Sequence, residues 1–244
     1  MPAPALIDGA RALGLTLSPD QVDQFSRYAA ELIDWNRRVN LTAISDPLEI
    51  VHKHFLDSLS VITACDLQAA DRIIDVGSGA GFPGLPIRIA RPDVRLALLE
   101  AARKKCDFLR HIVAALGLSD VAIVNARAED AGRDPAHREQ YHVAVARAVA
   151  DMATLVEYML PFVRIGGRVA AQKSGEVETE VERASAAVAA LGGRIQRIVP
   201  VNVPGLNETR AIVIVEKIAP TPGKYPRRAG APAKRPIRSS DRQG

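Results

Sequence analysis

The sequence predicts an α/β protein: a doubly wound sheet that closes in an antiparallel hairpin, with an N-terminal helical cap. Three observations predict it. From about residue 71, short apolar runs alternate with segments of helical spacing, the pattern of a parallel sheet wrapped by helices. A glycine-rich turn follows the first of those runs, at the edge where open α/β sheets bind ligands. The last two runs are joined by Pro204-Gly205-Leu206-Asn207, a linker too short for a helical crossover, so that pair is antiparallel.

The cap comes first. Ser18-Pro19-Asp20-Gln21 reads as a capping box, with serine at the N-cap, proline at N1 and glutamine at N3. Val22, Phe25, Ala29, Leu32, Trp35 and Val39 follow at helical spacing. Asp46-Pro47-Leu48-Glu49 repeats the start signal for a second helix through Ile50, His54, Phe55 and Leu59 towards Ile62. Strands are then expected at 72–76, 94–100, 121–124, 142–146 and 167–172, alternating with helices near 85–90, 103–116, 152–162 and 176–191. Gly117 stops the second of those helices and Gly192-Gly193 the last. The closing hairpin uses 195–203 and 209–217. The chain thus divides into a cap over residues 1–70, a sheet domain over 71–218 and a tail over 219–244. The tail holds five prolines and no apolar periodicity, which reads as an extended or disordered segment.

A chain of 244 residues, 48% hydrophobic and 25% charged, can bury a sizeable core. It contains no uninterrupted apolar run of the roughly 18 residues that a membrane span needs, and residues 1–5 lack the basic and apolar regions of a secretory signal. Cys65 and Cys106 lie far apart without a CxxC or histidine partner. That spacing argues against a disulfide framework or a metal site and for a reducing cytoplasm. Net charge is +4, and the tail carries seven Lys or Arg against Asp241 alone, leaving residues 1–218 at about −2. A basic tail on a near-neutral body either contacts polyanions or keeps the protein soluble.

The stretch Ile73-Ile74-Asp75-Val76-Gly77-Ser78-Gly79-Ala80-Gly81-Phe82-Pro83-Gly84 carries the chemistry. Gly77, Gly79 and Gly81 allow a tight turn and bring the backbone against a ligand. A dinucleotide fingerprint needs a further glycine where Phe82 stands. The carboxylate of Asp75 suits an ammonium group, such as the methionine end of S-adenosylmethionine, better than a pyrophosphate. Glu100 ends the next strand, where an acid accepts from two ribose hydroxyls. Ala128-Glu129 follows the third strand, where an adenine edge would lie. With the terminal hairpin, these residues point to the Rossmann-like fold of class I S-adenosylmethionine-dependent methyltransferases.

The acceptor atom is narrowed by what is missing. Attack at a pyrimidine C5 needs a cysteine nucleophile, and neither cysteine lies near the end of the fourth strand. Exocyclic amines are usually methylated beside an Asn/Asp-Pro-Pro-aromatic loop, whereas the segment here reads Val145-Ala146-Arg147-Ala148-Val149-Ala150. A ring nitrogen such as guanine N7 needs neither device, because it is already nucleophilic and requires only positioning and electrostatics. Arg147 has two readings: it holds a phosphate or guanine O6 during transfer, or it pairs with Asp151 or another neighbour on the surface. A small-molecule methyltransferase, a dinucleotide-dependent oxidoreductase and a non-catalytic cofactor sensor remain the rival classes.

With these residues in place, the chain closely resembles the bacterial ribosomal small-subunit RNA methyltransferase G family, also called glucose-inhibited division protein B. The resemblance runs from about Trp35 to Lys217. It rests on Asn40-Leu41-Thr42-Ala43-Ile44, His54-Phe55-Leu56-Asp57-Ser58-Leu59, the glycine loop from Asp75 to Gly84, Arg127-Ala128-Glu129 and Ala146-Arg147-Ala148. Many members also end in a tail similar to the stretch from Lys224 to Pro232.

The resemblance implies N7 methylation of one guanosine in the decoding-region loop of 16S ribosomal RNA, within the 30S subunit or an assembly precursor; nothing in the sequence demands a dimer or a membrane, and a monomer is expected. It implies that Gly77, Phe82, Ala128, Glu129 and Arg147 contact the cofactor. Lys173-Ser174-Gly175 departs from the Lys-Gly of many relatives, which leaves the loop behind Lys173 in question. His54 and Asp57, one turn apart, either pair over the cofactor or make a capping or interdomain bond. Arg103 and Lys104 open a helix near the ligand side, and Arg210 lies on the last strand. With Lys173, Arg227 and Arg228 they are the candidate RNA contacts.

Overall fold

The structure, a computed structural model, describes residues 1–238; positions 239–244, the end of the basic tail, lie outside the described residues. Five successive helical pieces build the cap: α1 (Ala3–Ala12), α2 (Pro19–Asn36), α3 (Pro47–Glu49), a π-helical stretch (Ile50–Leu56) and α4 (Asp57–Ala64). The capping box at Ser18 forms: Gln21 N–H donates to Ser18 Oγ, and Ser18 N–H donates to Gln21 Oε1 at 2.8 Å. The Gln21 amide also donates to Ile89 O at 2.7 Å, so one side chain starts α2 and ties the cap to the sheet domain. The helix expected from Pro47 to Ile62 is continuous but widens to π geometry around His54. Apolar spacing over seven residues does not separate that winding from an α-helix.

The sheet has the order β3-β2-β1-β4-β5-β7-β6. β1 (Arg72–Val76), β2 (Arg95–Glu100), β3 (Val121–Asn125), β4 (Tyr141–Arg147) and β5 (Val163–Ser174) run parallel. β7 (Arg210–Lys217) lies antiparallel between β5 and β6 (Gly193–Val201), as the short linker requires. Alternate side chains of each strand face opposite layers. Ile73, Leu96, Leu98, Val143 and Val145 pack with Phe25, Tyr28, Leu32 and Phe55 of the cap and with α5 (Gly84–Ala90) and α6 (Arg103–Ala115). Ile74, Val76, Leu99, Ala144 and Ala146 pack against α8 (Met152–Met159) and α9 (Val177–Ala190). Cap and sheet share one apolar layer. A short α7 (Ala128–Ala131) follows β3 at the same edge as the glycine loop.

The described part of the tail differs from the extended or disordered segment that its composition suggests. Thr221, Tyr225, Pro226, Pro232 and Ile237 are buried, and a short α10 (Ala231–Lys234) forms within it. The anchors belong to the body. Arg138 donates to Tyr225 O at 2.8 Å and Thr221 O at 2.6 Å, and Arg133 donates to Pro226 O at 2.9 Å. Buried Lys217 donates to Leu160 O at 2.8 Å and to Thr221 Oγ1. Isolated apolar residues seated one by one leave no periodicity to read.

Candidate functional site

The glycine loop is held almost wholly by backbone. Gly77, Gly79 and Gly81 take φ of +75°, +58° and +96°, conformations that disfavour side chains. Gly77 and Ser78 N–H donate to Leu99 O at 2.9 and 3.0 Å, stitching the loop to β2. Glu100 fastens its far side, its two carboxylate oxygens accepting from Gly79 N–H at 2.9 Å and Ala102 N–H at 2.8 Å.

Asp75 is fully buried beneath the loop, and its Oδ2 accepts from Gly84 N–H at 2.9 Å. A Cβ on Gly84 would stand 2.8 Å from that oxygen, so the contact requires glycine. Asp75 Oδ1 has no hydrogen-bond partner. Burial pushes its carboxyl up to about 7, while the Gly84 N–H and the Arg147 charge pull the other way. A buried carboxylate oxygen without a donor fits a ligand that brings an ammonium or N–H group. Glu100 ends β2, and the half-buried Ala128 opens α7 just after β3. A donor combining an amino acid with a nucleoside therefore meets suitable chemistry along this edge.

Phe82 joins the loop to the cap. Its ring stacks with Tyr28 (5.3 Å between centroids) and His54 (4.5 Å), and the Arg147 guanidinium lies 5.0 Å from its centroid. The Tyr28 hydroxyl donates to Ala80 O, so a fully buried residue of the cap also braces the loop.

Arg147, at the end of β4, is gripped by the cap. It donates to Lys53 O at 2.7 Å and Asp57 Oδ2 at 2.8 Å, with His54 Nδ1 at 3.2 Å from its other terminal nitrogen. Burial, reinforced by the Arg147 charge, lowers His54 to about 4, so the ring is neutral at pH 7. His54 Nδ1 stands 3.2 Å from both Lys53 O, an acceptor, and the Arg147 guanidinium, a donor, while Nε2 lies 2.8 Å from Thr42 Oγ1. His54 and Asp57 thus do not pair with each other; both hold Arg147. Asp57 Oδ1 also lies 3.4 Å from Arg210 Nε and accepts from Gln172 at 3.1 Å. Gln172, unremarked in the sequence, is the third anchor of that carboxylate. Arg147 pairs with Asp57 rather than with Asp151, which instead caps α8 through Thr154.

A cleft of about 640 Å³ opens over this cluster, lined by His54, Asp57, Arg147, Lys173, Leu206 and Arg210 among others. The candidate RNA contacts sit in different states. Lys173 is engaged with Glu180 at 2.6 Å and Ala150 O at 2.8 Å, and Arg210 with Glu208 at 2.7 Å. Arg227 departs most from the expectation of an RNA contact, because its guanidinium turns inward onto Glu157. Arg103, Lys104 and Arg228 stand exposed. Glu129 is buried, and its carboxylate accepts from Gly230 N–H at 2.7 Å.

Comparison with known proteins gives concordant matches. A family model described as rRNA small subunit methyltransferase G matches residues 21–212. The ribosomal RNA small subunit methyltransferase G of Roseiflexus castenholzii is 55% identical over 231 residues, covering 93% of this chain and 97% of that protein. The protein of the same name from Dehalococcoides mccartyi is 50% identical over 232 residues, covering 95% and 98%. Among solved structures, the [4+2]-cyclase SpnF matches with a TM-score of 0.55 at 14% identity, over 84% of this chain and 98% of that one. At that identity the likeness concerns the fold alone.

Proposed function

The chain belongs to the ribosomal RNA small subunit methyltransferase G family, and on that premise we propose that it transfers a methyl group from S-adenosylmethionine to N7 of a guanosine in 16S ribosomal RNA. The observation that carries the reading is the junction of two sites: the glycine loop over Asp75 and the Arg147-lined cleft meet at Phe82. S-adenosylmethionine supplies an electrophilic methyl group on a sulfonium. The remaining work belongs to the protein. Asp75 meets the ammonium end, Gly77, Gly79 and Gly81 let the backbone close on the ligand, Glu100 holds the ribose, and Ala128 and Glu129 border the adenine.

Guanine N7 has a free lone pair, so no side chain has to remove a proton before transfer. Neutral His54 and Asp57 accordingly act as holders of Arg147 rather than as acid and base. Arg147 remains a charged donor at the mouth of the cleft, suited to fixing the base or its phosphate. The 30S subunit or a precursor supplies the acceptor. The test is radiolabelled methyl transfer to 30S particles and to naked 16S RNA, followed by borohydride–aniline cleavage, which cuts at N7-methylguanosine. Cleavage at one guanosine is expected. Label that resists this chemistry would move the acceptor to another atom.

A further inference from the structure

The C-terminal strap, residues 219–238, is joined to the body around α7, the helix assigned above to the adenine end of the cofactor site. Gly230 N–H donates to the buried Glu129 carboxylate at 2.7 Å. Three residues earlier, Arg227 makes its backbone N–H, Nε and Nη2 bonds to Glu157, which is 0% exposed, at 2.8, 2.9 and 2.6 Å. Pro226 packs over Gly132 at the end of α7, where a Cβ would stand 3.1 Å from its ring. On the far side of the strap, buried Pro232 lies against α8, its carbonyl oxygen 3.4 Å from Thr154 Oγ1, whose proton goes to Asp151 at 2.8 Å. Two buried acids, Glu129 and Glu157, therefore receive donors from one short segment. Without that segment Glu157 would lack its guanidinium and Glu129 its amide donor.

We propose that the strap is a wall of the cofactor site: the Arg227–Glu157 pair seats Gly230, and the Gly230 amide fixes Glu129 and α7 for the nucleoside end of S-adenosylmethionine. Arg227, Glu157 and Gly230 are positioning residues in this scheme. Arg227 then serves docking first, and the strap's main effect falls on donor affinity rather than on RNA affinity. The inference rests on the cofactor assignment of the preceding subsection.

The test uses the full chain, a chain ending after Ala219, and the double variant Glu157→Gln/Arg227→Gln, which removes the pair without stranding a charge. Calorimetry gives the Kd for S-adenosylmethionine, and filter binding gives the Kd for 16S RNA. Trypsin, which cleaves after the exposed Arg228, reports whether the strap is seated. Binding linkage requires that a seated strap favouring the donor be favoured by it in return. The donor should slow that cleavage at least fivefold in the full chain, half-maximally at its own Kd. Donor Kd should rise about tenfold in the double variant, with RNA Kd within twofold. The truncated chain should follow; if it does not fold, the double variant still decides. Unchanged donor Kd in a folded variant, or loss of RNA affinity alone, overturns the inference. A full chain that binds no S-adenosylmethionine overturns the underlying cofactor assignment instead.

Discussion

The glycine loop and the Arg147 cluster face each other across Phe82 and are built by opposite means. The loop is one contiguous stretch whose shape comes from positive φ at three glycines and from backbone bonds to Leu99, Glu100 and Asp75. The cluster is assembled from distant parts of the chain: His54 and Asp57 from the cap, Arg147 from β4, Gln172 from β5 and Arg210 from β7. A backbone site tolerates few side chains and leans little on distant ones, here the Tyr28 hydroxyl on Ala80 O and the Glu100 carboxylate on Gly79 N–H. A side-chain site fails when any one of its distant partners is lost. The two regions should therefore break differently, which makes the contrast testable.

The largest effect belongs to the loop. At Gly79 a Cβ would meet nothing closer than Gly77 O at 3.9 Å, so Gly79→Asp carries only the strain of a side chain at φ +58°, roughly 1–2 kcal/mol, and leaves the fold standing. The new carboxylate would still occupy the ligand face, close to Glu100. Donor affinity should fall at least about 100-fold, with thermal unfolding shifted by only a few degrees. A variant that keeps wild-type affinity in calorimetry would remove the loop from the cofactor site.

Arg147→Ala tests the cluster. Asp57 keeps Gln172 and Arg210, so the protein should stay folded while turnover drops about 100-fold, the scale of losing one preorganised charge donor. Asp57→Ala is the converse case. It leaves Arg147 and Arg210 without their shared carboxylate and should cost about 3–5 kcal/mol in urea unfolding. If Arg147→Ala destabilised the protein as much as Asp57→Ala and left turnover intact, Arg147 would be a structural residue.

Asp75 sharpens the comparison because it belongs to the loop yet titrates. Its ordinary pKa is near 4, and burial raises it to about 7 in the folded protein. Between about pH 4 and 7 the native state thus holds a proton that the unfolded chain has lost. Stability should fall as pH rises through that window and level off above it. The loss is roughly 4 kcal/mol at 1.36 kcal/mol per unit. Asp75→Asn should abolish that slope and be more stable than wild type at pH 8. Affinity for an ammonium-bearing donor should run the other way, weakening by up to tenfold per pH unit below 7 and failing in the Asn variant. Parallel pH profiles for stability and affinity would rule out the ammonium contact.

The same contrast explains what was legible in the sequence. Strand β1, the glycine turn, Glu100 and the closing hairpin are local patterns, and they fall where spacing puts them. Asp57 and His54 drew notice as a motif, but their common partner was 90 residues or more away, and spacing along a chain does not encode it. Gln172 carried no signal at all, since a glutamine at the end of a strand is unremarkable until Asp57 is brought beside it. The tail misled for the converse reason. Its lysines, arginines and prolines resemble solvated chain, whereas the acids and carbonyls that fasten it lie in the body.

The smallest predicted effect concerns charge that neither region has spent. Lys173, Arg210 and Arg227 each face an acid of the protein, whereas Arg103 and Lys104 stand exposed at the first turn of α6 and form no ion pair among the described residues. Cations there are opposed by the helix dipole, since the first turn already presents unpaired N–H groups. A phosphate bound beside them would reverse that cost, because the N–H groups and both side chains would attract it together. The Arg103→Gln/Lys104→Gln variant should therefore be slightly more stable than wild type, by some tenths of a kcal/mol. Its RNA affinity should fall a few-fold at low salt, and the slope of log K against log salt should flatten by about 0.7 for each phosphate no longer neutralised. Donor affinity should not change, since neither side chain belongs to the loop. An unaltered salt slope would leave the pair as solvated surface and return the burden of RNA binding to the Arg147 cleft.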